Sequence, residues 1–117
     1  MSEYVDVYRV EKRGRGPFTN DVGHCMSNKH PTPTYDAGLP ELTFDEILPF
    51  RFGCPSPDVI KDWITKPAEL NKRGYKVSLY KAKKKYTHSS EIQTMFIKRH
   101  AKKIKEWSVE EFCAGNI

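Results

Sequence analysis

Ser89-Ser90-Glu91-Ile92-Gln93-Thr94-Met95-Phe96-Ile97 is the stretch on which the fold turns. From Glu91 onward polar and apolar residues alternate, the period-two pattern of a half-buried strand. Ile92, Thr94 and Phe96 share one face, and Glu91, Gln93, Met95 and Ile97 share the other. Upstream, Tyr75 to Ala82 alternates in the same way, with Tyr75, Val77 and Leu79 opposed to Lys76, Ser78 and Tyr80. Lys83-Lys84-Lys85 forms the charged end of that strand and Tyr86-Thr87-His88-Ser89 turns the chain, so the two strands are expected as a C-terminal β-hairpin. Beyond the hairpin, Ile97, Ala101 and Ile104 recur at helical spacing among lysines, which predicts a helix over 98–106. Ser108-Val109-Glu110-Glu111 has the form of a capping box and opens a last helical turn with Phe112.

The N-terminal part is built differently. Glu3 to Lys12 reads as a strand, with Val5, Val7 and the stem of Arg9 on one face and Tyr4, Tyr8 and Val10 on the other. Gly14, Gly16 and Pro17 break it, and a long loop is expected over residues 13–42, where Pro31 and Pro33 exclude a regular helix. Thr43 to Glu46 is a capping box for a short helix stopped by Pro49. Phe50 to Cys54 is a short extended segment. Ser56-Pro57-Asp58 then starts a helix with Ser as N-cap, Pro in the first turn and an acid beside it. Val59, Ile60, Trp63 and Ile64 form its buried stripe, and a further helix from Pro67 ends at Gly74. Segregated strands and helices point to an α+β fold with a small mixed or antiparallel sheet and two or three short helices. All 117 residues are expected as one compact domain.

Composition narrows the class. No apolar run approaches the ~20 residues of a membrane span, and Met1-Ser2-Glu3-Tyr4 has no signal-peptide character. Cys25, Cys54 and Cys113 are odd in number and far apart, which suits free thiols in a reducing cytoplasm. The net charge of +5 conceals an asymmetry. Residues 72–105 hold 12 Lys and Arg against the single acid Glu91, whereas residues 1–71 hold 8 against 11 and residues 106–117 hold three Glu and no base. Such a block generates a field that attracts anions.

Three kinds of chemistry are open to these residues. His24, Cys25, His30, Cys54, His88, His100 and Cys113 lack the paired spacing of a zinc site, so no metal is expected. Lys81, Lys83, Lys84, Lys85, Lys98, Arg99, Lys102, Lys103 and Lys105 can line a nucleic-acid surface, with Tyr80 and Tyr86 to stack on bases. The third is a skeleton: Tyr8-Arg9 on an early strand, Phe52-Gly53-Cys54-Pro55-Ser56 before a helix, and Glu91-Ile92-Gln93 on a late strand.

In order and rough spacing that skeleton resembles the ADP-ribosyltransferase-like superfamily, and the chain's style resembles small phage-encoded proteins. The resemblance implies NAD or an NAD-derived nucleotide as ligand. It implies that Tyr8 and Arg9 hold a phosphate or ribose, that Ser56 holds the nicotinamide-side ribose, and that Phe52 or Tyr86 stacks on a flat ring. Gln93 falls at the catalytic glutamate of the family and Glu91 at the first acid of its pair. A neutral amide supplies no charge to a cationic transition state, a loss of roughly 10²–10³ in rate, so weak turnover or binding alone is implied. The alternatives are a basic nucleic-acid-binding module acting through residues 72–105, including Lys83, Lys84, Lys85, Lys98, Arg99 and Lys102, and a phage inhibitor that contacts a host or defence protein. Cytoplasmic location, in the host if phage-encoded, is expected in each case.

Overall fold

Tyr4–Glu11 forms β1, whose β-branched and aromatic residues suit a strand covered on both faces. The computed structural model describes residues 3–13 and 50–114. The loop expected over 13–42, beyond Arg13, and the helix expected at Thr43 lie outside the described residues. The other elements, in order, are β2 (Phe50–Gly53), α1 (Pro57–Trp63), α2 (Pro67–Lys72), β3 (Lys76–Lys83), β4 (Thr87–Ser89), β5 (Thr94–Ile97), β6 (Ala101–Ser108) and α3 (Val109–Cys113), with single 3₁₀ turns at Lys84–Tyr86 and Lys98–His100. Two three-stranded antiparallel sheets result, ordered β1-β3-β6 and β2-β5-β4. The expected α+β class is the observed one.

The sheets are joined where Tyr8 and Cys54 exchange backbone hydrogen bonds, Tyr8 N–H to the Cys54 carbonyl at 2.9 Å and Cys54 N–H to the Tyr8 carbonyl at 2.7 Å. The first sheet is therefore covered from two sides. Val7, Tyr80 and Ala82 pack with Phe96 of the second sheet. On the opposite face Val10, Val77 and Trp107 pack with Ile60, Ile64, Leu70, Val109 and Phe112 from the helical layer. The alternation expected in β1 is what divides Val7 from Val10.

The helix signals read as expected. Ser56 Oγ accepts from Val59 N–H at 3.3 Å, with Pro57 next in sequence. The α2 terminus is a Schellman turn: Gly74 at φ +86° donates its N–H to the Asn71 carbonyl, Tyr75 N–H donates to the Leu70 carbonyl, and Leu70 and Tyr75 share one core cluster. Ser108 caps α3, accepting from Glu111 N–H at 3.2 Å.

Two expectations are corrected. Residues 98–106 are not a helix: after one 3₁₀ turn the chain becomes β6, paired with β3 from Lys76↔Ser108 to Ala82↔Ala101. Lys, Ala and Glu favour a helix intrinsically. The stretch, however, has no apolar stripe wide enough to bury, and the outer edge of β3 offers a full ladder of backbone partners. A bulge between Leu79 and Tyr80 skips Ile104, which is left 48% exposed. The hairpin also differs. β3 pairs with β1 and β6, and the true hairpin is β4–β5, turning at residues 90–93 and not at Tyr86–Ser89. Ser90 organises that turn: its Oγ accepts from Ile92 N–H at 3.2 Å and Gln93 N–H at 3.0 Å, and its own N–H donates to the Gln93 carbonyl at 2.8 Å.

Gly53 sits at the sheet junction. A Cβ there would lie 2.6 Å from the Tyr8 carbonyl oxygen and 2.6 Å from Val7 Cγ1, both on a paired strand. Gly53→Ala is expected to cost about 1–3 kcal/mol, read as a lowered urea midpoint at unchanged m-value.

Candidate functional site

The skeleton residues are dispersed among structural roles. Arg9 is 8% exposed; its Nε donates to Glu11 Oε1 at 3.1 Å and its Nη1 to the Phe52 carbonyl at 2.8 Å. Tyr8 stacks on Trp107 with ring centroids 6.4 Å apart and packs against Phe112. Ser56 caps α1. Glu91 is exposed in the β4–β5 turn whereas Gln93 is buried at its end, so the two do not share one strand face as the alternation suggested. Tyr86 stacks on His100 at 3.9 Å. The backbones of these stretches do adjoin, through Tyr8–Cys54 and the Gly53–Thr94 pair.

Sequence reasoning missed the charge cluster that Arg9 joins. Glu11 is buried, with Tyr80 Oη donating to it at 2.7 Å and Lys103 Nζ at 2.9 Å from Oε2. Burial alone would push this carboxyl up, but hydrogen bonds from Lys103 and Tyr80 hold it below the ordinary value of 4.5. Burial and the bond to Glu11 push the Tyr80 phenol up to about 12. Tyr80 is thus unavailable to stack on a base, a correction of the surface role assigned to it. Lys103 also leaves the proposed basic surface: it pairs with Glu11 on the sheet face that meets β2-β5-β4. The signal was faint: Glu11, Tyr80 and Lys103 are far apart in sequence, and only the bulge at Ile104 fixes which β6 lysine stands opposite Tyr80.

A different set of side chains converges at the far end of the first sheet. Among the described residues, the helical layer covers the Val10–Val77–Trp107 end of one face and leaves the other end open. There, Tyr4, Lys81, Lys83, Arg99, His100, Ala101, Lys102 and Ile104 line a shallow groove of about 540 Å³. The strand register explains the convergence: Tyr4 pairs with Lys83, Asp6 with Lys81 and Lys81 with Lys102. Tyr4 is 45% exposed, and Tyr4 and Ile104 are the exposed large apolar residues among those described. Lys81 is ion-paired to Asp6. Lys83, Arg99 and Lys102 form no ion pair with another described residue, whereas Lys76, Lys103, Arg9 and Arg73 all do. Partial desolvation, then the charges of Arg99, Lys83 and Lys85, hold the His100 imidazole below its usual range.

The family model for the Bacteriophage T4 Y00F protein covers residues 1–110. The chain belongs to that phage family. No curated protein and no solved structure matches it. Membership bears out the phage character of the chain. No helix among the described residues is long and apolar enough to cross a membrane, and these residues hold no cluster of three or more His, Cys, Asp or Glu placed to bind a metal. His24, Cys25 and His30 lie outside them. Burial pushes the Cys54 thiol up to about 12, which keeps it protonated and unreactive near neutral pH.

Because the fold holds Glu11 below its ordinary value, the unfolded chain takes up the proton first on acidification. The stabilisation is full above the ordinary carboxylate range and is lost as pH falls through the folded-state value. Glu11→Gln is expected to flatten that acid limb of the stability curve. Glu11→Ala, which leaves Arg9 buried without its carboxylate, is expected to cost about 3 kcal/mol, both measured by urea unfolding between pH 3 and 7.

Proposed function

We propose that this phage protein is a nucleic-acid-binding module that acts through the open half-face of the β1-β3-β6 sheet. The observation that carries the reading is the groove itself: cations from β3, β6 and the 3₁₀ turn between β5 and β6 surround an apolar floor, and three of them have no acidic partner among the described residues. Such cations bind phosphates by releasing condensed counterions, and an apolar, aromatic floor accepts base surfaces. Lys84, Lys85 and Lys98, all exposed beside the groove, extend the same field.

Fluorescence anisotropy with a labelled oligonucleotide tests it. Binding is expected to weaken steeply with salt; for about three phosphates neutralised on a single strand, the slope of log K against log salt is roughly −2. The double charge reversal Lys83→Glu/Arg99→Glu is expected to abolish binding at 50–200 mM salt, while Lys72→Glu, at the distant end of α2, leaves it nearly unchanged. Absence of binding at low salt, or equal effects of both variants, contradicts the proposal.

A second reading keeps NAD or an NAD-derived nucleotide as ligand of Tyr8, Arg9, Phe52, Ser56, Glu91 and Gln93. The observation in its favour is that β1, β2 and β5 adjoin at Tyr8–Cys54 and Gly53–Thr94. It asks that Arg9 exchange Glu11 and the Phe52 carbonyl for a ligand phosphate. Under it, NAD at tenfold its Kd adds about 1.4 kcal/mol of stability, seen as a raised Tm that Gln93→Ala removes. An unchanged Tm with NAD and with ADP-ribose disposes of this reading and leaves the first intact.

A further inference from the structure

The basic half-face has a feature that phosphate binding alone does not use. Its large apolar side chains are Tyr4 and Ile104, and the exposed ring of Tyr4 stands on a paired strand. The β1–β3 ladder runs to the Tyr4↔Lys83 pair and is continued by Lys84 N–H donating to the Glu3 carbonyl at 2.8 Å. Ile104 is pushed outward by the β6 bulge, where an unbulged strand would have placed a lysine or turned the isoleucine elsewhere.

From this placement, and resting on the nucleic-acid reading above, we infer that the groove takes single-stranded rather than duplex nucleic acid, with an unstacked base laid against Tyr4 and Ile104 and its phosphates on Lys83, Lys102 and Arg99.

The reason is access to the base faces. A duplex presents phosphates outward and keeps its base faces stacked inside, so it offers an exposed tyrosine and isoleucine no apolar partner. A single strand can splay a base onto the floor while its backbone stays on the cationic rim.

The experiment uses the full chain, a fluorescein-labelled 12-nucleotide single strand and the duplex of the same sequence, at 50 mM salt. The single strand is expected to bind at least tenfold more tightly than the duplex. Tyr4→Ala is expected to weaken single-strand binding about five- to a hundredfold, the range found when a stacking residue is truncated, and to leave duplex binding unchanged. Tyr4→Phe should retain it. Circular dichroism melts show that each variant is folded; Ile104→Ser, at an exposed bulge, is the second probe and is expected to weaken the single strand selectively. Equal affinity for both forms, or displacement of the oligonucleotide by poly-glutamate at matched charge, overturns the base-contact inference while the basic surface stands. Binding of neither form overturns the nucleic-acid reading as well.

Discussion

The carboxylate of Glu11 is the group on which the two sheets depend. It lies on the face of β1 that meets the second sheet and receives Tyr80 from β3, Lys103 from β6 and Arg9 from its own strand. Arg9 then reaches across to the Phe52 carbonyl of β2. One anion therefore ties all three strands of the first sheet and, through Arg9, the second sheet. A buried ion pair is seldom a net source of stability against apolar packing, because both partners lose water. Its effect here is to fix register. A slip of one residue in β1 would carry Glu11 to the face of Val10 and leave a carboxylate among Ile60, Leu70 and Phe112.

The same registration decides where the free cations stand. Lys103 is paired with Glu11 on the opposite face, and the bulge that permits this sends Ile104 outward and keeps Lys102 beside Lys81 on the open face. Among the described residues the helical layer is short, three helices of five to seven residues, and reaches the Val77 end of the sheet. The uncovered remainder is where the charge excess of residues 72–105 becomes a localised surface. Structure thus divides the lysines into those that hold the fold and those that face an external anion, a division that net charge cannot make.

Local signals were legible because their causes are local. Ser56-Pro57, Gly74 and Ser108 to Glu111 act within one helical turn, and each was readable at its own position. The alternation in β1 and β3 assigned Val7 and Val10 to opposite faces correctly. Partners of strands were not legible, since alternation states which face is buried and leaves the neighbour open. That is why residues 75–82 and 91–97 suggested a hairpin with each other, and why β6, whose residues from Lys102 to Glu106 are all exposed, read as a helix. Its strand identity comes from the free edge of β3.

The Glu91-Ile92-Gln93 stretch illustrates how a motif's meaning depends on backbone state. Alternation would set both polar side chains on one strand face, two residues apart, as the resemblance to a paired-acid site requires. Ser90 instead folds the stretch into a turn, and within a turn residues two apart are not constrained to the same side. Glu91 consequently faces solvent while Gln93 closes the end of β5 among buried Thr94, Met95 and Phe96. A single hydroxyl, Ser90 Oγ, accepting two backbone N–H groups, thus separates the pair. A nucleotide site built on these two residues would first have to open that turn, whereas the groove at Tyr4 and Lys83 requires no such rearrangement.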